Sequence, residues 1–132
     1  MTPSDKQAYV HYRLTRAKEA LQETEDMLRL GHTIAAVNRL YYACFYAVSA
    51  LLYHHDISNA TTHGGTRRML GLHFIESGKL SRDMGRFYSD MFNQRHKGDY
   101  DAFVTFETDT VKEMLGTGKE FVKEIKALIN QI

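Results

Sequence analysis

A chain of 132 residues is long enough for one packed core and short for two, and 1–132 is therefore read as a single domain. Seventeen Lys and Arg stand against sixteen Asp and Glu, so no overall field draws the chain to nucleic acid, a membrane surface or an acidic partner, and any such binding must come from a local patch. The single cysteine, Cys44, excludes a disulfide framework and a thiolate metal cluster and fits a reducing, cytoplasmic compartment. The amino terminus carries neither the apolar stretch of a signal peptide nor the basic residues of a transit peptide.

With its one proline at position 3 and no alternating β-branched run, the chain is expected to be all-α, a compact up-and-down bundle of four to five helices. The first helix is expected after Ser4 as N-cap, with Val10, Leu14, Ala17, Leu21, Thr24 and Leu28 at heptad spacing, and Gly31 ends it near Arg29 or Leu30. Thr33 can cap the second, which runs to about His54. Within it, Ile34–Tyr53 holds one formal charge, Arg39, beside Asn38. Ile34, Val37, Tyr41, Cys44, Val48 and Leu51 line one face, and Asn38, Tyr42, Phe45, Ser49 and Leu52 make a second stripe. Two stripes predict burial on two sides, as the central helix of a bundle or one packed on a second subunit. The stretch has about the length that spans a bilayer, but Asn38, Arg39, Ser49 and the tyrosines would be costly at its centre, so no membrane association is expected.

His55–Thr61 reads as a loop, and Thr61 or Thr62 as the N-cap of a short helix to about Glu76, with Gly64 and Gly65 weakening its first turn. Ser77 and Gly78 end it. Ser81 can cap a fourth helix whose stripe of Met84, Tyr88 and Met91 leads to Arg95, with Gly98 placed as its C-terminal glycine. Asp101 or Thr105 can start the last helix, which carries Val111, Met114, Phe121, Ile125 and Leu128. Gly116 and Gly118 in its middle mark a close helix contact or a bend.

A guanidinium in apolar surroundings must be paired or face a ligand. Asn38 points about 100° from Arg39, the angular step of one helical residue, so the two answer to different neighbours. Arg95 falls in the string RHKGDY, with Asp99 and Tyr100 expected past the glycine. On pattern alone Arg95 and Asp99 are a local ion pair at a cationic helix end.

The set Asn38, Arg39, Tyr41, Tyr42, Ala43, Phe45, Ala47, Ala50, Leu51 and Leu52, then His63 with Gly64, then Arg95 with Asp99 and Tyr100, resembles the HEPN family. The resemblance covers roughly residues 33–101. It implies a small, usually dimeric helical bundle, often encoded beside a minimal nucleotidyltransferase in toxin and antitoxin pairs, and in many members a metal-independent ribonuclease. The active branch carries an arginine and, after an interval of four to six residues, a histidine. These serve cleavage by a neighbouring 2′-hydroxyl, which needs a proton relay and a cation to hold charge on the phosphorane. Here Arg95 matches the arginine, but Asp99 and Tyr100 stand where the histidine is expected, as in one branch of the family. Tyr100, with an unperturbed pKa of about 10, is a poor base at neutral pH.

Other candidates stand beside plainer readings. His54, His55 and Asp56 diverge in direction and lack a ligand spacing, so no metal is expected, nor any cofactor. His63 opens the third helix, where free N–H groups hold anions, and with Arg67 and Arg68 it makes a local basic patch; a capping histidine on a solvated face is the alternative. The tyrosines at 41, 42, 46 and 53 can stack bases or simply pack.

The expectation is a cytoplasmic homodimer that binds RNA or a nucleotide, not DNA, between subunits and works with a nucleotidyltransferase. Arg39, Arg67, Arg95 and His63 would meet phosphate, Asp99 would orient Arg95, and Asn38 would hydrogen-bond across the groove. If RNA is cleaved, Arg95 stabilises the transition state and His63 or His96 relays the proton. The alternatives are a non-catalytic dimerisation or interaction module, and Tyr100 as a hydroxyl acceptor for nucleotide transfer by the partner.

Overall fold

The computed structural model describes residues 2–57 and 62–131. Five α-helices follow one another: α1 (Pro3–Arg29), α2 (Thr33–His54), α3 (His63–Leu70), α4 (Arg82–Tyr100) and α5 (Thr108–Ile129). One turn of π-helix, Gly71–Ile75, continues α3. No strand occurs among the described residues.

α1 starts earlier than the Ser4 cap predicts. Thr2 is the N-cap, its side chain accepts from the Asp5 amide, Asp5 reaches back to the Thr2 amide, and Pro3 takes the first helical position. Val10, Ala17, Thr24 and Leu28 are buried along one stripe. Gly31, at φ +80°, then turns the chain back. The expected Thr33 cap is absent: His32 holds the N-cap position of α2 without a side-chain hydrogen bond, and Thr33 is already helical.

α2 is the axis of the bundle and packs against α1, α3, α4 and α5. Both expected stripes turn inward; Val37, Tyr41, Cys44, Val48, Leu51, Phe45, Ser49 and Leu52 are buried, with Ile34 exposed at the helix start. α2 is long and apolar enough to cross a membrane, but 67% of its most apolar window is covered by the rest of the chain. Against it, α5 buries Val111, Leu115, Phe121, Ile125 and Leu128. Gly118 permits their approach, because a Cβ there would lie 2.6 Å from Leu40 Cδ1. The glycine pair thus marks a close contact, and α5 runs through it unbroken.

Thr62 caps α3 by accepting from the Gly65 amide, whereas Thr61 lies outside the described residues. Gly78, at φ +77°, ends the segment. Ser81 caps α4 through the Met84 amide as expected. The C-terminal end of α4 differs from the sequence reading. Gly98 does not stop the helix; it sits inside it, facing the Phe106 ring and Ile34, where a Cβ would lie 3.0 Å from Phe106. The bend after Tyr100 is made by Phe103, at φ +62°, and α5 begins only at Thr108 with Glu107 as N-cap, not at Asp101 or Thr105.

Candidate functional site

Because α4 stays helical through Tyr100, Arg95 and Asp99 lie one turn apart on the same face. That face packs on the N-terminal half of α2. Arg95 is 9% exposed, which is unusual for a guanidinium. Its Nη1 reaches Asp99 Oδ2 at 3.5 Å, the outer limit of a hydrogen bond. Its carbon centre lies 5.1 Å from the Tyr41 ring and 5.9 Å from the Tyr42 ring. Its Nε is buried with no hydrogen-bond partner among the described residues. The aromatic faces offset part of the cost of burying the charge, but one long contact to a shared carboxylate leaves the cation under-paired.

Asp99 is shared because Asn38 Nδ2 donates to it at 3.1 Å. Asn38 Oδ1 accepts in turn from Arg39 Nε and Nη2, at 3.2 and 3.1 Å. Arg39 Nη1 meets Glu23 at 3.3 Å, and its guanidinium lies 5.0 Å from the Tyr42 ring. Asn38 thus spans from α2 to α4, while Arg39 turns toward α1. Both arginines touch Tyr42, one network joining them, but Arg39 is occupied by Glu23 and Arg95 is not fully paired.

His63 completes the cluster from α3. Its Nδ1 lies 2.8 Å from the Tyr41 hydroxyl, and its ring sits 4.4 Å from Phe45 and 5.6 Å from Tyr42. Burial first, and the Arg95 charge second, lower its pKa below the ordinary 6.5, so it is neutral at pH 7. Burial pushes the Tyr41 phenol up to about 12, so it stays protonated. His63 and Arg95 therefore face the same two tyrosines although they lie on different helices. Sequence spacing alone does not expose that pairing. The signal was present in Tyr41 and Tyr42, which meet both residues, but aromatic residues at helical spacing read equally well as core.

The remaining candidates fall elsewhere. His96 is exposed and packs against Tyr100 at 4.8 Å. Tyr100, the last residue of α4 and not a loop residue, is 69% exposed. Arg67 is held over the Phe92 ring at 4.4 Å, and Phe92 meets Tyr41 edge-on at 6.0 Å. Arg68 is exposed. Cys44 is fully buried, its thiol pushed up by desolvation, and takes no part in the site. No group of three His, Cys, Asp or Glu side chains suited to a metal occurs among the described residues.

An all-helical bundle that brings an under-paired arginine and a neutral histidine onto one aromatic face is a small helical domain with a cationic cluster at the junction of α2, α3 and α4. The HEPN domain profile matches residues 10–128, and the chain belongs to the HEPN family. It is 35% identical over 129 residues to a UPF0332 protein of Thermotoga maritima, covering 98% of this chain and 97% of that one. Two proteins of Methanocaldococcus jannaschii are also similar. One, named "Putative toxin MJ0142", is 28% identical over 86% of this chain and 76% of its own. The other, "Putative toxin MJ0605", is 32% identical over 74% and 71%.

Proposed function

We propose that this chain is the toxin of a HEPN and nucleotidyltransferase pair, a homodimer that takes the phosphate backbone of RNA at Arg95 and cleaves it without a metal. The observation that carries the reading is the buried Arg95 guanidinium, whose Nε has no partner among the described residues and whose one carboxylate contact is long and shared. A phosphate oxygen at the terminal nitrogens adds the pairing that the long Asp99 contact leaves short, with the planar geometry that guanidinium prefers.

In the reaction the 2′-oxygen attacks phosphorus, the 5′-oxygen leaves, and a 2′,3′-cyclic phosphate forms. Arg95 neutralises the charge that builds on the non-bridging oxygens. His63, neutral at pH 7, takes the 2′-hydroxyl proton at Nε2 when its Nδ1–H is donated to Tyr41. The proton is then returned to the leaving 5′-oxygen. His63 fits the relay better than His96, which stacks on Tyr100 at the surface. The toxin part of the reading is supported by the names of the two archaeal relatives, and the homodimer and partner enzyme by what resemblance to the family implies.

The second reading is a non-catalytic module that regulates or presents substrate to the nucleotidyltransferase. It is favoured by the run of contacts through Arg95, Asp99, Asn38, Arg39 and Glu23, which ties α1, α2 and α4 together, and by the lack of a histidine in the interval after Arg95. Incubating the protein with a mixed RNA pool in chelator, beside Arg95→Ala and His63→Gln, separates the two. Cyclic-phosphate ends should form with the parent and fall by about 10²–10³-fold in Arg95→Ala, the usual loss on removing a transition-state donor. An unchanged rate in Arg95→Ala sinks the assignment. No cleavage by any sample, with the fold intact, selects the non-catalytic module.

A further inference from the structure

The molecule has a second polar surface that the Arg95 cluster does not use. Between the α3 and π-turn segment and α4 lies a cavity of about 400 Å³, with Arg67, Gly71, Arg82, Gly85, Ser89 and Asp90 among its lining. It shares Arg67 and Gly71 with a neighbouring hollow of about 650 Å³ that adds Arg68, Leu72 and Glu76. That hollow in turn shares Gly64 and Arg68 with one at the start of α3. The last two are lined by the α3 and π-turn segment alone, so the polar surface runs from the cavity between α3 and α4, past Arg67, onto the outer face of that segment, about 18 Å from Gly64 to Glu76 at the usual helical rise.

Its charge leans positive, although Asp90 and Glu76 also line it. Arg67, Arg68 and Arg82 form no ion pair among the described residues, while Arg86, at the rim, pairs with Asp83. By contrast, the hollow on the other side of the site holds Glu23 and Asp99 against Arg39 alone. The balance of charge therefore favours a polyanion on the α3 side over the Glu23 side.

The floor suits a backbone. A side chain at Gly64 or Gly71 would meet nothing within 4 Å, so both positions are open. Gly85 lets α4 close on Ile75, where a Cβ would lie 3.0 Å from Ile75 Cδ1. The π turn at Gly71–Ile75 widens the helix along this wall, a distortion that recurs at functional sites. Packed side chains also link its wall to the Arg95 cluster. Arg67 lies one helical turn from His63, and the Phe92 ring stands between its guanidinium and Tyr41, against which Arg95 rests.

We propose that a single RNA strand bound at Arg95 continues over the surface formed by the cavity between α3 and α4 and the outer face of α3, with Arg67, Arg68 and Arg82 taking its phosphates. This rests on Arg95 being an RNA site and adds the path and direction of the strand. Cations fixed along a surface bind backbone without reading sequence, so this surface sets the length of RNA recognised and not its sequence.

The test is binding of a labelled single-stranded 2′-O-methyl RNA, which cannot be cleaved by its own hydroxyl, as salt is varied. In Arg67→Gln with Arg82→Gln, the slope of log K against log salt should shrink by about 1.4, since each phosphate contact on a single strand contributes about 0.7. Arg68→Gln with Arg82→Gln, two exposed positions whose loss leaves the core untouched, should do the same. Parent binding with an unchanged slope in both double variants overturns this path and leaves the Arg95 reading standing. No binding by the parent overturns both.

Discussion

From Ala43 to Leu52, α2 carries no charge and buries Cys44, Ala47, Val48, Leu51 and Leu52 against its neighbours, whereas from Asn38 to Tyr42 it sets an amide, a guanidinium and two phenols into the same bundle. The first half gains by removing apolar surface from water. The second half spends part of that gain on polar groups that satisfy one another incompletely, since Arg95 Nε is left without a partner among the described residues. A buried polar network satisfied on all sides serves stability or specificity, while one left short at a cation is where the proposed anion would add pairing.

The largest effect belongs to the apolar half. Leu51→Ala should cost about 2–5 kcal/mol in chemical denaturation, the range for emptying a buried leucine site, and leave Arg95-dependent RNA binding intact in whatever fraction stays folded. Next comes the helix contact behind the polar half. Gly118→Ala places a methyl against Leu40, and the overpacking of about 1–3 kcal/mol exceeds the gain in helix propensity of about 1 kcal/mol. Gly116→Ala, which meets nothing within 4 Å, should instead stabilise α5, by about 0.5–1 kcal/mol. Opposite signs for two glycines two residues apart would locate the close contact; equal signs would refute it.

Asn38→Ala should cost about 1 kcal/mol, the usual worth of a hydrogen bond. It also releases Asp99 to Arg95 alone, so RNA binding should weaken as the carboxylate competes with phosphate. Stability loss with unchanged binding would mean that Asn38 only ties α2 to α4.

The smallest effect is the titration of His63. Its folded pKa lies below the ordinary 6.5, so protonation opposes folding. This contribution to stability is present above pH 6.5 and is lost as pH falls from there through the lowered folded value. Followed by NMR, the His63 midpoint should lie below 6.5, and Arg95→Gln should raise it only part of the way, because burial is the larger cause. A midpoint indifferent to Arg95 would separate the two residues electrostatically.

Much of the frame was legible in the chain. The two stripes of α2 pointed to a helix buried on both sides, and Gly31, Ser81 and Gly78 marked boundaries that the structure keeps, because each acts through backbone geometry within a few residues. Gly98 misled for the converse reason: a glycine that ends a helix and one that admits a neighbouring ring look alike in sequence, and only the approach of Phe106 and Ile34 distinguishes them.

By itself the sequence determined the helical class, the central place of α2 and the polar residues set within it, since periodicity and side-chain chemistry are local properties. Tertiary structure alone decided that Arg39 is paired with Glu23, that Arg95 Nε has no partner among the described residues, and that His63 joins Arg95 across Tyr41. Those outcomes depend on how α1, α3 and α4 seat on one face of α2. Side chains far apart in the chain acquire their partners, and their pKa values, only when that packing removes water from between them.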